Sequence, residues 1–279
     1  PFIDAPGSRL IGDGYALLAE LGAVTDDDER KLTPIGIELA RLPLDPRIGR
    51  MILAARDRGA LAELLVIAAA LSVQDPRERP MDRQQAADQA HAQWKDVDSD
   101  FAALINLWRG FEEQRQALGS SALRSWCRKN FLNYLRLREW RDAHRQLVLI
   151  VRDLQLSPGH SAQGRSELAR DQQSAGQTAI AGDRRDAAPQ QAGSYKEKEL
   201  AEKDQAAQCA KGYAAVHKAI LAGLLSQIGQ KTEDGDYLGA RQRRFWVHPS
   251  SVIGRKKPSW LMAAELVETT KLFARMVAK

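Results

Sequence analysis

Two cysteines in 279 residues, Cys127 and Cys209, are too few for a disulfide framework and fit a reducing cytoplasm. The histidines His91, His144, His160, His217 and His248 are scattered, so no zinc-ligand spacing forms with them. No run approaches the roughly 18 apolar residues of a membrane span, and the most apolar stretch, Leu61 to Val73, is interrupted by Glu63. No membrane partner is therefore expected. Catalytic constellations are also missing. Asp142-Ala143-His144 lies within a helical pattern without a nucleophile. The nearest approach to a phosphate-binding loop is Gly223 to Thr232, GLLSQIGQKT, where five residues separate the glycines and Gln230 intrudes before Lys231, so the Lys is out of register for a phosphate. These residues alone are expected to be inactive as an enzyme, with no metal and no cofactor site. The chain opens on Pro1, not Met, which suggests a piece of a longer protein.

What the sequence does have is charge in blocks. The net charge is only +5. Residues 1–123 carry 14 Lys+Arg against 20 Asp+Glu, whereas residues 124–152 carry 8 against 2 and residues 212–279 carry 11 against 5. Two basic segments of +6 are thus separated by a near-neutral middle, the electrostatic footprint of a polyanion partner or of two solvated faces.

Periodicity organises the chain into a mainly α, multi-domain protein. Leu10, Tyr15, Leu17, Leu18 and Leu21 recur at helical spacing and Gly22 ends that helix. After the acidic turn Asp26 to Lys31, Thr33 caps a second helix that starts with Pro34. Helix, acidic loop, helix over 1–45 is compatible with a winged-helix module. Residues 46–156 read as an all-α bundle. Asp45-Pro46 starts its first helix, which stops near Gly59, and Leu61 to Leu71 is apolar on nearly every side, as a central helix would be. One long last helix is expected from about Ala122 to Leu154. Residues 157–211 are rich in Gly, Ser, Gln and Ala and too poor in apolar residues to offset ordering entropy, so a disordered insertion is expected. Residues 212–279 turn to β-branched and aromatic residues over Tyr237 to His248 and Ser259 to Val277, which suggests a small OB-like β-barrel, truncated at or near its last strand.

Two features carry binding chemistry. Arg138, Arg141, Arg145 and Arg152 fall within about 60° of one another at 100° per residue and form one stripe, a fork of guanidinium groups suited to phosphates. The run Arg241 to His248 interleaves cations with rings, the recipe for single-stranded nucleic acid. Alternation puts Arg241, Arg243 and Phe245 on one face and Arg244, Trp246 and His248 on the other, with Trp246 expected in the core.

Seven segments in order resemble a known family. SRLIGDGYALLAELGAV (8–24), LTPIGIELARLPLDPRIGRMILAA (32–55), IAAALSVQDPRERP (67–80) and FLNYLRLREWRDAHRQL (131–147) are similar to the accessory region that follows the motor in bacterial DEAH-box RNA helicases. AILAGLLSQIG (219–229), DYLGARQRRFWVHPSS (236–251) and WLMAAELVETTKLFAR (260–275) resemble that family's OB-fold. The resemblance implies a winged helix, a ratchet-like bundle and an OB-fold packed on two RecA-like motor domains, with single-stranded RNA as partner, ATP and Mg as the motor's cofactors, 3′-to-5′ movement, and a cytoplasmic setting. The motor's phosphate-binding loop and DEAH motif have no counterpart here, so no catalytic residue carries over. Matching positions add His248, Ser250, Ser251, Thr270 and Lys271 in the barrel, and Gln74 and Arg77 on a loop where Asp75-Pro76 could equally start a helix, to the candidates that patterning gives, Arg243, Arg244 and the stripe Arg138, Arg141, Arg145 and Arg152. Two other classes are weighed beside this. One is an interaction scaffold binding acidic partners or ribosomal surfaces, with 157–211 as a tether. The other is a winged-helix regulator of duplex DNA, which the acidic 1–43 disfavours.

Overall fold

The computed structural model describes residues 7–154 and 211–279. The insertion expected at 157–211 lies outside the described residues except for Lys211, which already sits in a helix.

The first module is short. Helix α1 (Ser8–Glu20) ends at Gly22, whose φ of +68° supplies the left-handed turn. Thr33 N-caps α2 (Pro34–Ala40) by accepting from the Gly36 N–H at 3.0 Å. Between them a single antiparallel bridge, Val24 to Leu32, closes a small wing around the acidic turn. Gly36 is required by contact, because a Cβ there would fall 1.9 Å from the Ala23 carbonyl oxygen.

The bundle follows with α3 (Pro46–Arg56), α4 (Leu61–Leu71), α5 (Gln84–His91), α6 (Asp100–Ala117), α7 (Ser120–Lys129) and α8 (Tyr134–Asp153). The expected Asp45 cap is present, accepting from Arg47 N–H at 2.9 Å. Helix α4 is the central element, with Leu64, Ile67, Ala68 and Ala69 fully buried among α3, α6 and α8. Trp140 of α8 donates its indole N–H to the Val66 carbonyl at 2.9 Å and locks α8 onto it. Among the described residues no helix is long and apolar enough to cross a membrane.

The single long helix expected from Ala122 to Leu154 is instead two. Phe131 takes φ +54° between α7 and α8, and Asn133 caps α8 by accepting from Leu135 N–H at 3.0 Å and Arg136 N–H at 3.1 Å. The break is where another loop docks. Glu78 N–H donates to the Phe131 carbonyl, Asn133 N–H donates to the Pro76 carbonyl, and Arg77 bridges Leu132. The loop itself begins no helix at Asp75-Pro76. The Asp75 carboxylate accepts from Arg77 N–H instead, and only a 3₁₀ turn follows, at Met81–Arg83.

Residues 211–223 form helix α9, whose Val216, Ala219 and Ile220 join the bundle's core. The chain then enters a closed five-stranded barrel: β1 (Ile228–Lys231), β2 (Tyr237–Gly239), β3 (Arg244–Val247), β4 (Trp260–Glu268) and β5 (Leu272–Ala278), in the order β1-β2-β3-β5-β4. Only the β3–β5 pair is parallel. Its core is Tyr237, Phe245, Ile253, Leu261, Ala263, Ala274 and Val277. The GLLSQIGQKT segment is the end of α9, a 3₁₀ turn and β1, and its glycines serve packing. A Cβ on Gly223 would lie 2.5 Å from the Arg47 carbonyl oxygen, and one on Gly229 would lie 2.4 Å from the Phe245 ring.

Bundle and barrel are clamped at the start of α6. The buried Asp100 carboxylate accepts from Ser251 Oγ at 2.7 Å, Val277 N–H at 3.0 Å and Val252 N–H at 3.3 Å. Next to it Ser99 meets His217 Nε2 at 2.7 Å, and Asp98 takes Lys256 and Lys279, both at 2.9 Å.

Candidate nucleic-acid interface

Two adjacent strands build the outer face of the barrel. In the parallel β3–β5 pair, Trp246 stands opposite Phe273 and Val247 opposite Ala274, and His248 N–H donates to the Ala274 carbonyl at 2.9 Å. Side chains alternate across a strand, so Phe245, Val247, Leu272 and Ala274 face the barrel core while Arg244, Trp246, His248, Lys271, Phe273 and Arg275 face out. The outward set forms three rungs: Arg244 beside Lys271, Trp246 beside Phe273, His248 beside Arg275. Each column thus reads cation, ring, then a second basic side chain. The Lys271 ammonium lies 4.5 Å from the centroid of the Trp246 ring, and His248 meets Phe273 edge-on at 5.9 Å. Trp246 and Phe273 are half-buried, and neither joins the bundle or the barrel core.

Two expectations for this segment change. Trp246 is not core. Phe245 fills the barrel because its ring sits over Gly229 and Gly239, which pair across β1 and β2 and leave room for it. Nor does the strand reach Arg241, since Arg241 and Gln242 take φ +56° and +58° and the strand begins at Arg244. Arg241 and Arg243 line a separate groove of about 520 Å³ between the barrel and α1, with Arg47, Asp13, Glu20 and Glu265. Arg244 is held by Asp234 at 3.0 Å and Asp236 at 3.5 Å.

The ladder leads into the seam between barrel and bundle. Met276 has φ +53° in mid-strand, a left-handed residue that interrupts the alternation, so Arg275 and Met276 both border the seam before Val277 returns inward. Across the seam Arg77 forks Asp75, with Nε to Oδ1 at 3.0 Å and Nη2 to Oδ2 at 2.7 Å, and its Nη2 lies 3.9 Å from the Met276 sulfur. Arg136 Nη1 donates to the Asp75 carbonyl at 3.1 Å. Burial opposes charge on both members of the Asp75–Arg77 pair, yet their mutual attraction outweighs it. The Asp75 carboxyl ends below its ordinary range and the Arg77 guanidinium above. A cavity of about 810 Å³ opens here, lined by Gln74, Arg77, Arg136, Arg275, Arg47 and Glu265 among others.

A smaller cavity of about 230 Å³ adjoins it, where His248 and Ser250 face Arg77, Arg275, His91 and Lys95. The structure therefore unites the 74–77 loop with the His248-Pro249-Ser250 turn. His248 Nδ1 accepts from the Ser250 N–H at 3.2 Å, which leaves Nε2 to carry the proton. Burial, then the nearby Arg275 and Arg79, hold its pKa below the usual imidazole value, so it is neutral at pH 7. Ser251 borders this cavity without offering its hydroxyl to it. It is buried, and its hydroxyl is committed to Asp100. Thr270 and Lys271 lie on the exposed β4–β5 turn at the far end of the ladder.

The arginine stripe is elsewhere. On α8, Arg138, Arg141, Arg145 and Arg152 lie roughly 140–180° around the axis from Arg136, at 100° per residue, so they face away from the seam that Arg136 lines. Arg141 is drawn to Glu112 at 3.4 Å.

Phe273, Arg275, Arg136 and Arg47 are residues of this ladder and seam that sequence reasoning passed over. A signal existed for the first two: Arg244-Phe245-Trp246-Val247-His248 and Lys271-Leu272-Phe273-Ala274-Arg275 share the pattern basic, apolar, ring, apolar, basic. Nothing in either run says that the two strands are neighbours.

Comparison with known proteins gives three consecutive family matches. They are the helicase-associated (HA2) winged-helix domain at residues 16–44, the ratchet-like helicase-associated (HA2) domain at 45–104, and the oligonucleotide/oligosaccharide-binding (OB) fold at 216–279. The whole chain is 42% identical to a part of the ATP-dependent RNA helicase HrpA of Escherichia coli (strain K12) and covers 18% of it. It is also 42% identical to the HrpA homolog of Haemophilus influenzae, again covering 18%. The similarity to the ATP-dependent RNA helicase DHX33 of Drosophila melanogaster is 26% identity over the whole chain and 32% of that protein. The chain thus spans less than a fifth of the length of the two bacterial relatives.

Proposed function

Because the chain carries the winged-helix, ratchet-like and OB-fold domains of a DEAH-box helicase and matches the C-terminal accessory region of HrpA, we propose that it binds one RNA strand along the β3–β5 ladder and into the seam, forming one wall of an RNA tunnel. The other wall would be RecA-like motor domains, which would also hold ATP and Mg and drive 3′-to-5′ unwinding in the cytoplasm.

The observation that supports this reading best is the in-register ladder opening onto the Arg77–Arg275 seam. Bases stack on Trp246 and Phe273, while Lys271, Arg244 and Arg275 meet phosphates. Ring faces accept any base, and a lone cation reads no base edge, so binding is independent of sequence. Gln74 and Ser250 border the same path and offer short polar groups for ribose and phosphate oxygens.

The test is a fluorescence titration with single-stranded RNA at two salt concentrations. Trp246→Ala should weaken binding by about 1–3 kcal/mol, the worth of one stacked base. Lys271→Gln with Arg275→Gln should reduce the slope of log K against log salt by about 1.4, at about 0.7 per phosphate contact for a single strand. Unchanged affinity and slope in both variants would reject the ladder as the binding face.

A further inference from the structure

The turn that ends the ladder presents a matched pair of polar atoms. Ser250 N–H donates to His248 Nδ1 at 3.2 Å, and because a backbone amide only donates, that nitrogen carries no proton. The Ser250 hydroxyl, 2.7 Å from the same nitrogen, must then donate to it as well. His248 therefore keeps its proton on Nε2 and offers a donor. Ser250 Oγ has its hydrogen committed and offers its lone pairs as an acceptor. Both side chains line the cavity of about 230 Å³ at the seam.

The carboxylates of that cavity are already engaged. Asp75 is forked by Arg77, Asp88 takes Arg79 at 2.7 Å, and Asp100 accepts from three groups of the barrel. His91 gives its Nε2–H to the Phe131 carbonyl at 3.2 Å. Among the described residues, Lys95 and Arg275 are the Lys and Arg side chains of this lining that are in no ion pair, and both are exposed. A neutral donor–acceptor pair thus lies beside two cations that are open to phosphates. A phosphate oxygen only accepts, so it suits the cations but meets the Ser250 lone pairs unfavourably. A sugar hydroxyl both donates and accepts, and it satisfies the two atoms together. The position agrees. His248 stands two residues from Trp246 on the same face, about 7 Å along the strand, within reach of the sugar of a base stacked on that ring.

We propose that His248 and Ser250 bind the 2′-hydroxyl of a ribose, with Nε2–H donating to its oxygen and Ser250 Oγ accepting from its O–H, so that this site selects RNA over DNA. The proposal rests on the reading of the ladder as a single-strand site. It adds a choice of sugar, which stacked rings and phosphate contacts do not make. The experiment titrates the full chain with oligouridine and with oligodeoxyuridine of equal length, the same base without the hydroxyl. Wild type, S250A, H248F and W246A are compared, and circular dichroism melting checks that each fold is kept. Each of the two hydrogen bonds is worth about two- to tenfold in affinity. Wild type should therefore prefer oligouridine by at least about fourfold, and S250A and H248F should each cut that preference by about two- to tenfold. A merely structural loss weakens both strands alike and leaves the ratio where it was. Equal affinity of wild type for the two strands, or a ratio that S250A and H248F do not change, overturns the hydroxyl site while strand binding stands. Binding of neither strand, or W246A weakening neither, overturns the ladder reading and this proposal with it.

Discussion

Replacing Asp100 should loosen the barrel from the bundle without unfolding either. Its carboxylate is buried at the first position of α6 and accepts three hydrogen bonds, all from the barrel segment: Ser251 Oγ, Val252 N–H and Val277 N–H. Asp100→Ala removes the acceptor and leaves at least two buried donors, Ser251 Oγ and Val277 N–H, without a partner. Each such orphan costs about 1–3 kcal/mol, so the junction should weaken by about 3–5 kcal/mol. Asp100→Asn keeps one oxygen but turns an amide N–H₂ toward a donor, and should cost about half as much. The local readout is amide hydrogen exchange at Val277. Weakening the junction by 3 kcal/mol raises exchange through the open form by about a hundredfold. Asp98→Asn, next to it, loses ion pairs to Lys256 and Lys279 that are open to water, and should change stability by at most about 1 kcal/mol. If Val277 exchanges at the wild-type rate in Asp100→Ala, the carboxylate is not what holds the two modules together.

Three further outcomes follow from the structure. Asn133→Ala should destabilise the chain by about 1 kcal/mol through loss of the α8 cap, read from the urea midpoint at unchanged m-value. Gly223→Val should be far more damaging than Gly212→Val, because a side chain at 223 collides with the Arg47 carbonyl and Met51 whereas 212 faces open space; thermal melting of the pair compares them. Burial holds His91, His144 and His217 below the ordinary imidazole value of 6.5, so the unfolded chain takes up protons before the folded one does. Stability should therefore be full above about pH 6.5 and fall as pH drops toward the lower folded values. His217→Gln should flatten that fall in melts taken between pH 7.5 and 5.5.

The local grammar of the chain was legible. Thr33-Pro34, Asp45-Pro46 and the glycines at 22 and 59 mark helix ends through bonds that each residue makes within its own neighbourhood. The α7–α8 break was not legible, because its cause is long-range. The loop at 76–78 hydrogen-bonds to residues 131 and 133 across more than fifty positions, and the Leu and Arg periodicity runs on regardless. Strand β1 hid in the GLLSQIGQKT run, whose spaced glycines drew notice only as a near miss to a phosphate-binding loop. The alternation in β3 was assigned correctly, but which face was inside depended on the glycine pair Gly229 and Gly239, on strands that the sequence does not join to β3. Ser251 was misplaced for the same kind of reason. A hydroxyl beside a His-Pro turn looks exposed until Asp100, more than 150 residues away, takes it.

The two +6 segments show why net charge locates a partner poorly. In the seam, Arg77 is matched by Asp75, and Arg47 and Arg275 share their cavity with Asp45 and Glu265, so this arginine-rich cluster carries little excess charge. What distinguishes it is arrangement. Rings at Trp246 and Phe273 stand between basic side chains at a strand's spacing, and the left-handed Met276 brings the column to the bundle's edge. The α8 segment has the same formal excess and spreads its arginines along one helix face. Equal charge thus comes with two different arrangements, a ladder across two strands and a row along one helix. A salt titration alone does not tell such arrangements apart, whereas replacing the ring at Trp246 does.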